Sequence, residues 1–303
     1  MTTYLVILLL IAGGFGLRRM EVLPEATADV LNRLAITFCL PALILFHAPG
    51  LQWSWALWPL IAVPWGLLLL SSLLVWGISR HLGWSREITA VLLVLLPLGN
   101  TSFLGFPLVE ALLGAEYLSL AVVYDQLGSF LIVVTHALLV ISWYQSAETP
   151  SWRVVGRRIV SFPPFIALLV AMVVGNEGFP GWLMELIERL ALMLLPMVTI
   201  AIGASLQLKL VPDYRWPLAF GVTAKLILLP ALVWLVLWAL AVRGPVAQVS
   251  LLEASMPPMI TAAALLSQAR LAPALANGMV AWGVLASALT VPLWFWWSGL
   301  TLI

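Results

Sequence analysis

Long apolar runs alternate along this chain with short clusters of polar and charged residues. The runs lie near 3–17, 29–49, 55–79, 87–113, 116–143, 159–176, 183–207, 216–242, 246–268 and 273–300. A helix needs about 20 mostly apolar residues to cross a bilayer. The pattern therefore predicts an all-α integral membrane protein of ten transmembrane helices. No polar stretch is long enough for a soluble domain.

Two runs are interrupted. In the fourth, PLGNTSFLGFPLVE (Pro97 to Glu110) crowds proline, glycine, asparagine, threonine and serine together. In the ninth, LLEASMPPMITAAALL breaks at Ser255, Met256, Pro257 and Pro258. Proline has no N–H and clashes with the carbonyl four residues earlier. Pro107 should free the carbonyl of Phe103, and Pro257 and Pro258 those of Glu253 and Ala254. Each break then leaves N–H groups at the start of one half-helix and carbonyls at the end of the other. In hydrocarbon such groups must face protein, water or ligand. Half-helix N-termini favour anions and C-terminal ends favour cations. The alternative is a pair of proline kinks with no ligand.

Ten spans divide into two sets of five. Five is odd, so the second set enters the membrane from the opposite side, as in an inverted repeat. The interruptions occupy the fourth place of each half, the sequence pointer to a midplane site in a secondary transporter.

Composition agrees. The chain is 63% hydrophobic and 9% charged, with mean hydropathy +1.10; soluble domains carry about 25% charged residues. A net charge of +1 gives no ground for a nucleic-acid partner. The single cysteine, Cys39, allows no disulfide within the chain. MTTYLVILLLIAGG has neither a basic residue before its apolar core nor an A-x-A site after it, so it reads as a first membrane helix rather than a cleaved signal. Arg18, Arg19, Arg80, Arg86, Arg153, Arg157, Arg158, Lys209, Arg215 and Arg270 fall in alternate loops, and the other loops hold only Arg243. The positive-inside rule makes the basic set cytoplasmic and puts both termini outside. Trp53, Trp55, Trp58, Trp143, Trp152, Trp294, Trp296 and Trp297 fit interfacial belts.

Ionisable groups at membrane depth are functional candidates. Asp125 and Lys225 lie near mid-depth of the fifth and eighth segments. Asp125 is the candidate proton or cation site, and Lys225 the balance for an anionic substrate. Alternatively the two form a structural ion pair. Glu253 either ligates a cation with the freed carbonyls or is a hydrogen-bonded, protonated carboxyl. Asn100 ranks above these groups, because its amide both donates and accepts. Thr101, Ser102, Gly105, Pro107, Ser255, Met256, Pro257 and Pro258 complete the expected substrate site. Gly99 and Gly105 permit close approach of backbone. Glu185 and Arg189 read as an i,i+4 surface pair, and Glu110 as a rim group. GGFG at Gly13 to Gly16 reads as a small-residue packing patch, not a nucleotide loop. His47, His81 and His136 have no metal-ligand spacing, and no nucleophile elbow or H-E-x-x-H motif occurs. No metal site, cofactor or enzymatic activity is expected, beyond H+ or Na+ as a coupling ion.

GNTSFLGFPL, Tyr124–Asp125, ASMPP and LPALILF (Leu40 to Phe46) together resemble the auxin efflux carrier family over essentially the whole chain. The resemblance implies two inverted five-helix repeats, with the broken fourth and ninth helices crossing at their breaks. Scaffold helices would span 1–50 and 158–207, and a moving transport domain 55–143 and 216–300. It also implies organic-anion transport, a multi-pass location in the inner (plasma) membrane and a homodimer. The long cytoplasmic loop of many plant members is replaced here by a short one. The related bile acid sodium symporters place a sodium-ligating glutamate where Glu253 stands, but Pro257 replaces the glutamine that follows in them. The expected function is a secondary carrier of a small organic anion. A non-transporting receptor of an organic acid and an uncoupled uniporter are the alternatives.

Overall fold

Thirteen helices account for the regular structure of the described residues, which are 2–49, 51, 53–145, 151–175, 178–209 and 211–302 in a computed structural model. Met1, Gly50 and Asn176, which bound two of the expected segments, lie outside them. The helices are α1 (Thr2–Arg19), α2 (Thr27–His47), α3 (Trp55–Leu82), α4 (Arg86–Leu95), α5 (Thr101–Leu112), α6 (Ala115–Tyr144) and α7 (Trp152–Val160). They continue with α8 (Pro163–Val174), α9 (Gly181–Ser205), α10 (Pro212–Ala239), α11 (Pro245–Ala254), α12 (Ile260–Gln268) and α13 (Pro273–Thr301). No strand occurs among the described residues.

Seven of these helices are each long and apolar enough to cross a membrane, and the bent pair α7–α8 brings the number to eight. The fourth and ninth expected segments are each two short helices, α4–α5 and α11–α12, separated by a break. The sixth is α8, and the stretch before it, expected as a basic loop, is the short helix α7, which meets α8 at 61°. Ser151 caps α7 by accepting the Val154 N–H, and Pro163 and Pro164 stop it from running straight on.

The first break does not fall where Pro107 predicts. The chain leaves helical geometry over Leu96–Asn100, around Pro97 and Gly99, and α5 begins at Thr101. Pro107 sits inside α5. The donor it lacks is accommodated by a π-helical turn over Thr101–Gly105, in which Leu104 and Gly105 both donate to the Asn100 carbonyl. The second break, Ser255–Met259, lies where the two prolines put it.

Helices α1, α2, α8 and α9 pack on one another. A Cβ at Gly14 would fall on the Ile200 main chain, and one at Gly203 on that of Ile11. Backbones meet there, as small residues permit between membrane helices. Of the GGFG patch only Gly14 makes this contact; Gly13 and Gly16 face open space. A second group places α3 against α4, α6 and α11, and α13 against α4, α10, α11 and α12. Two further π turns, Asp125–Ser129 in α6 and Ala224–Leu228 in α10, each leave a carbonyl to a tryptophan from another helix. Trp65 donates to Leu127 at 3.0 Å and Trp294 to Leu226 at 2.8 Å. Asp125 and Lys225 stand in these turns, and π turns are frequent at functional sites.

The basic ends of the helices gather on one face. The Arg86 guanidinium lies 5.5 Å from the Tyr144 ring centroid, Gln145 donates to the Ala269 carbonyl, and Arg18, Arg19 and Lys209 line a common crevice.

Candidate functional site

The two breaks are bonded to each other. Gly99 and Pro258 form an antiparallel bridge. The Asn100 N–H donates to the Pro257 carbonyl at 2.8 Å, and the Met259 N–H to the Leu98 carbonyl at 3.1 Å. Part of the polar backbone that sequence reasoning assigns to a solute is therefore satisfied by the opposite break. What remains is carried by side chains and by the first N–H groups of α5, which by helix geometry have no partner within it.

Around this junction stand the three buried ionisable groups. Asp125 is 1% exposed. Its Oδ1 accepts from the Thr101 hydroxyl and, at 2.6 Å, from Ser102; its Oδ2 accepts from Gln126 Nε2 at 2.7 Å. Glu253 is 0% exposed, and neither carboxylate oxygen has a hydrogen-bond partner among the described residues. It packs against the bare Cα of Gly105, where any Cβ would collide with it. Lys225 is buried beside Gly99: a Cβ there would lie 3.4 Å from its Nζ. The alternative of an Asp125–Lys225 ion pair is not met among the described residues. Among the described residues the ion pairs are Arg18–Glu25 and Arg189–Glu185. Hydroxyls and an amide hold Asp125 instead, and Lys225 faces the break and Glu253 rather than α6.

A cavity of about 420 Å³ opens beside the first break. Asn100, Ser102 and Asp125 line it, with Phe103, Phe130 and Met259. Asn100 is 3% exposed and its Nδ2 is buried without a partner. A buried donor left unsatisfied costs about 1–3 kcal/mol, so the cavity wall carries a donor with a standing need for an acceptor. Thr101 belongs to the cavity only through Asp125. Gly105, Pro107, Ser255, Met256, Pro257, Pro258, Lys225 and Glu253 do not line it. They build the junction behind the cavity: Ser255, for example, spends its hydroxyl on the Leu252 carbonyl.

Sequence reasoning missed the far wall. Arg158, Ser161 and Phe162, at the α7–α8 bend, and Thr261 and Gln268, on α12, also line the cavity. Arg158 counts in the sequence only as an orienting charge; the 61° bend brings it to the site. Phe162 stacks on Phe130 at 4.2 Å between ring centroids, tying the bend to α6. A second, polar cavity of about 350 Å³ lies on the other side of α12, lined by Arg18, Asp29, Asn32 and Asn277. At the opposite end α1 closes on α5 and α13. Tyr4 Oη donates to the Ala288 carbonyl at 2.5 Å, and the space left among Ile7, Ile11, Leu104 and Leu108 is about 10 Å³.

Among the described residues no group of three or more His, Cys, Asp or Glu is placed to hold a metal ion.

A family model described as "Membrane transport protein" matches residues 1–295. The chain is 28% identical over 302 residues to an uncharacterized transporter of Methanothermobacter thermautotrophicus, covering 96% of each chain. It is 23% identical over 269 residues to an uncharacterized transporter of Methanocaldococcus jannaschii, covering 85% of each.

Proposed function

The chain belongs to the membrane transport protein family, and from that premise we propose that it is a secondary carrier moving a small organic anion by alternating access. One observation carries this reading: Asn100, whose Nδ2 is buried and unpartnered, is one of the residues that line the 420 Å³ cavity at the N-terminal end of α5. A carboxylate is the ligand that a free amide donor and a helix N-terminus both favour.

In this reading the pairs α4–α5 and α11–α12 are the fourth and ninth of ten spans, crossing at their bonded breaks, and the two five-span halves are inverted repeats. Helices α1, α2, α8 and α9 form the scaffold, and the remaining spans move against it. The open cavity on the basic face and the tight Tyr4–Ala288 closure opposite support a conformation open to the cytoplasm, with both termini outside the inner membrane. Family membership and the relatives' names favour a transporter over an enzyme. The protein works as a homodimer, and its coupling ion is H+ or Na+, with Asp125 and Glu253 as the groups that exchange it.

Uptake of radiolabelled mono- and dicarboxylates into proteoliposomes, with an imposed proton or sodium gradient, tests the proposal. Accumulation that needs one gradient and is lost in Asn100→Ala is the expected result. Saturable binding without flux would make the protein a receptor, and flux indifferent to both gradients a uniporter. Transport undiminished by Asn100→Ala would remove the site from this cavity.

A further inference from the structure

One cavity wall carries a carboxylate and the other a guanidinium. Asp125 stands at the α5 junction and Arg158 at the α7–α8 bend, and neither is in an ion pair among the described residues. Both Asp125 oxygens serve as acceptors, for Thr101, Ser102 and Gln126, an arrangement that an ionised carboxylate satisfies. A simple anion drawn to Asn100 would sit beside this second negative charge, with only Arg158 on the opposite wall to offset it. A ligand that brings its own cationic group removes the conflict and satisfies both walls.

We infer that the substrate is a zwitterion, an apolar α-amino acid or a close relative. Its ammonium faces Asp125, and its carboxylate faces Asn100 Nδ2, the start of α5 and Arg158. This deepens the carrier reading above and rests on it. The apolar part of the ligand follows from the rest of the wall. Phe103, Val133, Leu265 and the stacked Phe130–Phe162 pair line the cavity, and aromatic faces of this kind favour another ring in offset or edge contact. The volume of about 420 Å³ is within the range of small-molecule sites, roughly 300–1,000 Å³.

Three probes that share one phenyl ring test the charge requirement on the purified, reconstituted protein: L-phenylalanine, 3-phenylpropionate and 2-phenylethylamine. Affinity is read by scintillation proximity with tritiated ligands. In the unaltered protein phenylalanine is expected to bind at least tenfold tighter than either single-charge analogue. In Asp125→Asn the order of the two acids reverses, because the lost carboxylate no longer holds the ammonium or repels the anion. A loss of packing alone would weaken both acids together. Arg158→Gln, altered at an exposed side chain, is expected to weaken phenylalanine and 3-phenylpropionate while leaving 2-phenylethylamine unchanged. If 3-phenylpropionate binds the unaltered protein as tightly as phenylalanine does, the zwitterion inference is overturned and the anion carrier stands. If none of the three binds, the inference is equally overturned, and dicarboxylate uptake decides the carrier reading separately. The comparison on the unaltered protein needs no variant to fold.

Discussion

The main-chain N–H of Asn100 donates to the carbonyl of Pro257 at 2.8 Å. Each residue lies in the gap of an interrupted segment, and the bond joins chain positions far apart in sequence. Neither gap is an isolated defect: each is capped by the backbone of the other. In a hydrocarbon environment that mutual capping removes a penalty of several kcal/mol per unpaired group. It leaves the Asn100 side-chain amide, beside the cavity, as a donor without a partner among the described residues.

Gly105→Ala should be strongly destabilising, because the added methyl meets the Glu253 carboxylate. Overpacking of this kind costs roughly 1–3 kcal/mol. Gly13→Ala, where a Cβ meets open space, is the matched control. Thermal unfolding in detergent should show a lowered Tm for the first and an unchanged one for the second. Adding Glu253→Ala to Gly105→Ala should recover part of the loss; equal melting of the two alanine variants would contradict the packing described here.

Removing the charge at Glu253 without changing its shape should not harm the fold. Among the described residues neither of its oxygens has a hydrogen-bond partner or a place in an ion pair, and burying a charge without either is costly. Glu253→Gln is therefore expected to melt at or above the temperature of the unaltered protein, in sodium and potassium buffers alike. A drop in Tm seen only in sodium would show that the carboxylate holds a cation.

Thr101→Val deletes one hydroxyl donor to Asp125 while keeping the side-chain volume. Hydrogen bonds to charged groups contribute about 1.5–3 kcal/mol. The stability loss should be smaller when Asp125 is already asparagine, so the interaction appears as a coupling energy in a double-mutant cycle. Additive losses would mean that Thr101 does not act through Asp125.

Tyr4→Phe removes the hydroxyl bond to Ala288 and adds no bulk. About 1 kcal/mol is at stake, which shifts a two-state equilibrium roughly fivefold. The variant should open more often on the side away from the cavity. Labelling of Val284→Cys, beside this closure, by a membrane-impermeant thiol reagent measures the opening. An unchanged labelling rate would mean that the Tyr4 bond does not hold the closure.

Apolar runs locate nearly every helix, because a bilayer demands a fixed length of apolar sequence whatever the tertiary contacts. Pro257 and Pro258 locate the second break because nothing nearby compensates two missing donors. Pro107 misleads: a π turn absorbs its missing bond, and the true gap opens ten residues earlier at Pro97. Asn100 is legible as a candidate because a buried amide in a broken helix needs a partner, and it lines the cavity. Arg158 is not, since it reads as a loop charge, and its place on the cavity wall depends on a helix that meets the next one at 61°. The alternative of an Asp125–Lys225 pair is not met for a related reason. Depth along a helix can be counted from sequence, but the direction a side chain faces is set by packing, and Lys225 points to Gly99.

Reciprocal contact at Gly14 and Gly203 has a mechanical consequence. Two helices touching backbone to backbone have no flexible side-chain layer between them to shear. Sliding α1 along α9 by even one residue would drive a larger side chain into the facing main chain. The pair is therefore a rigid seam, unlike the side-chain-cushioned surface where α1 meets α5.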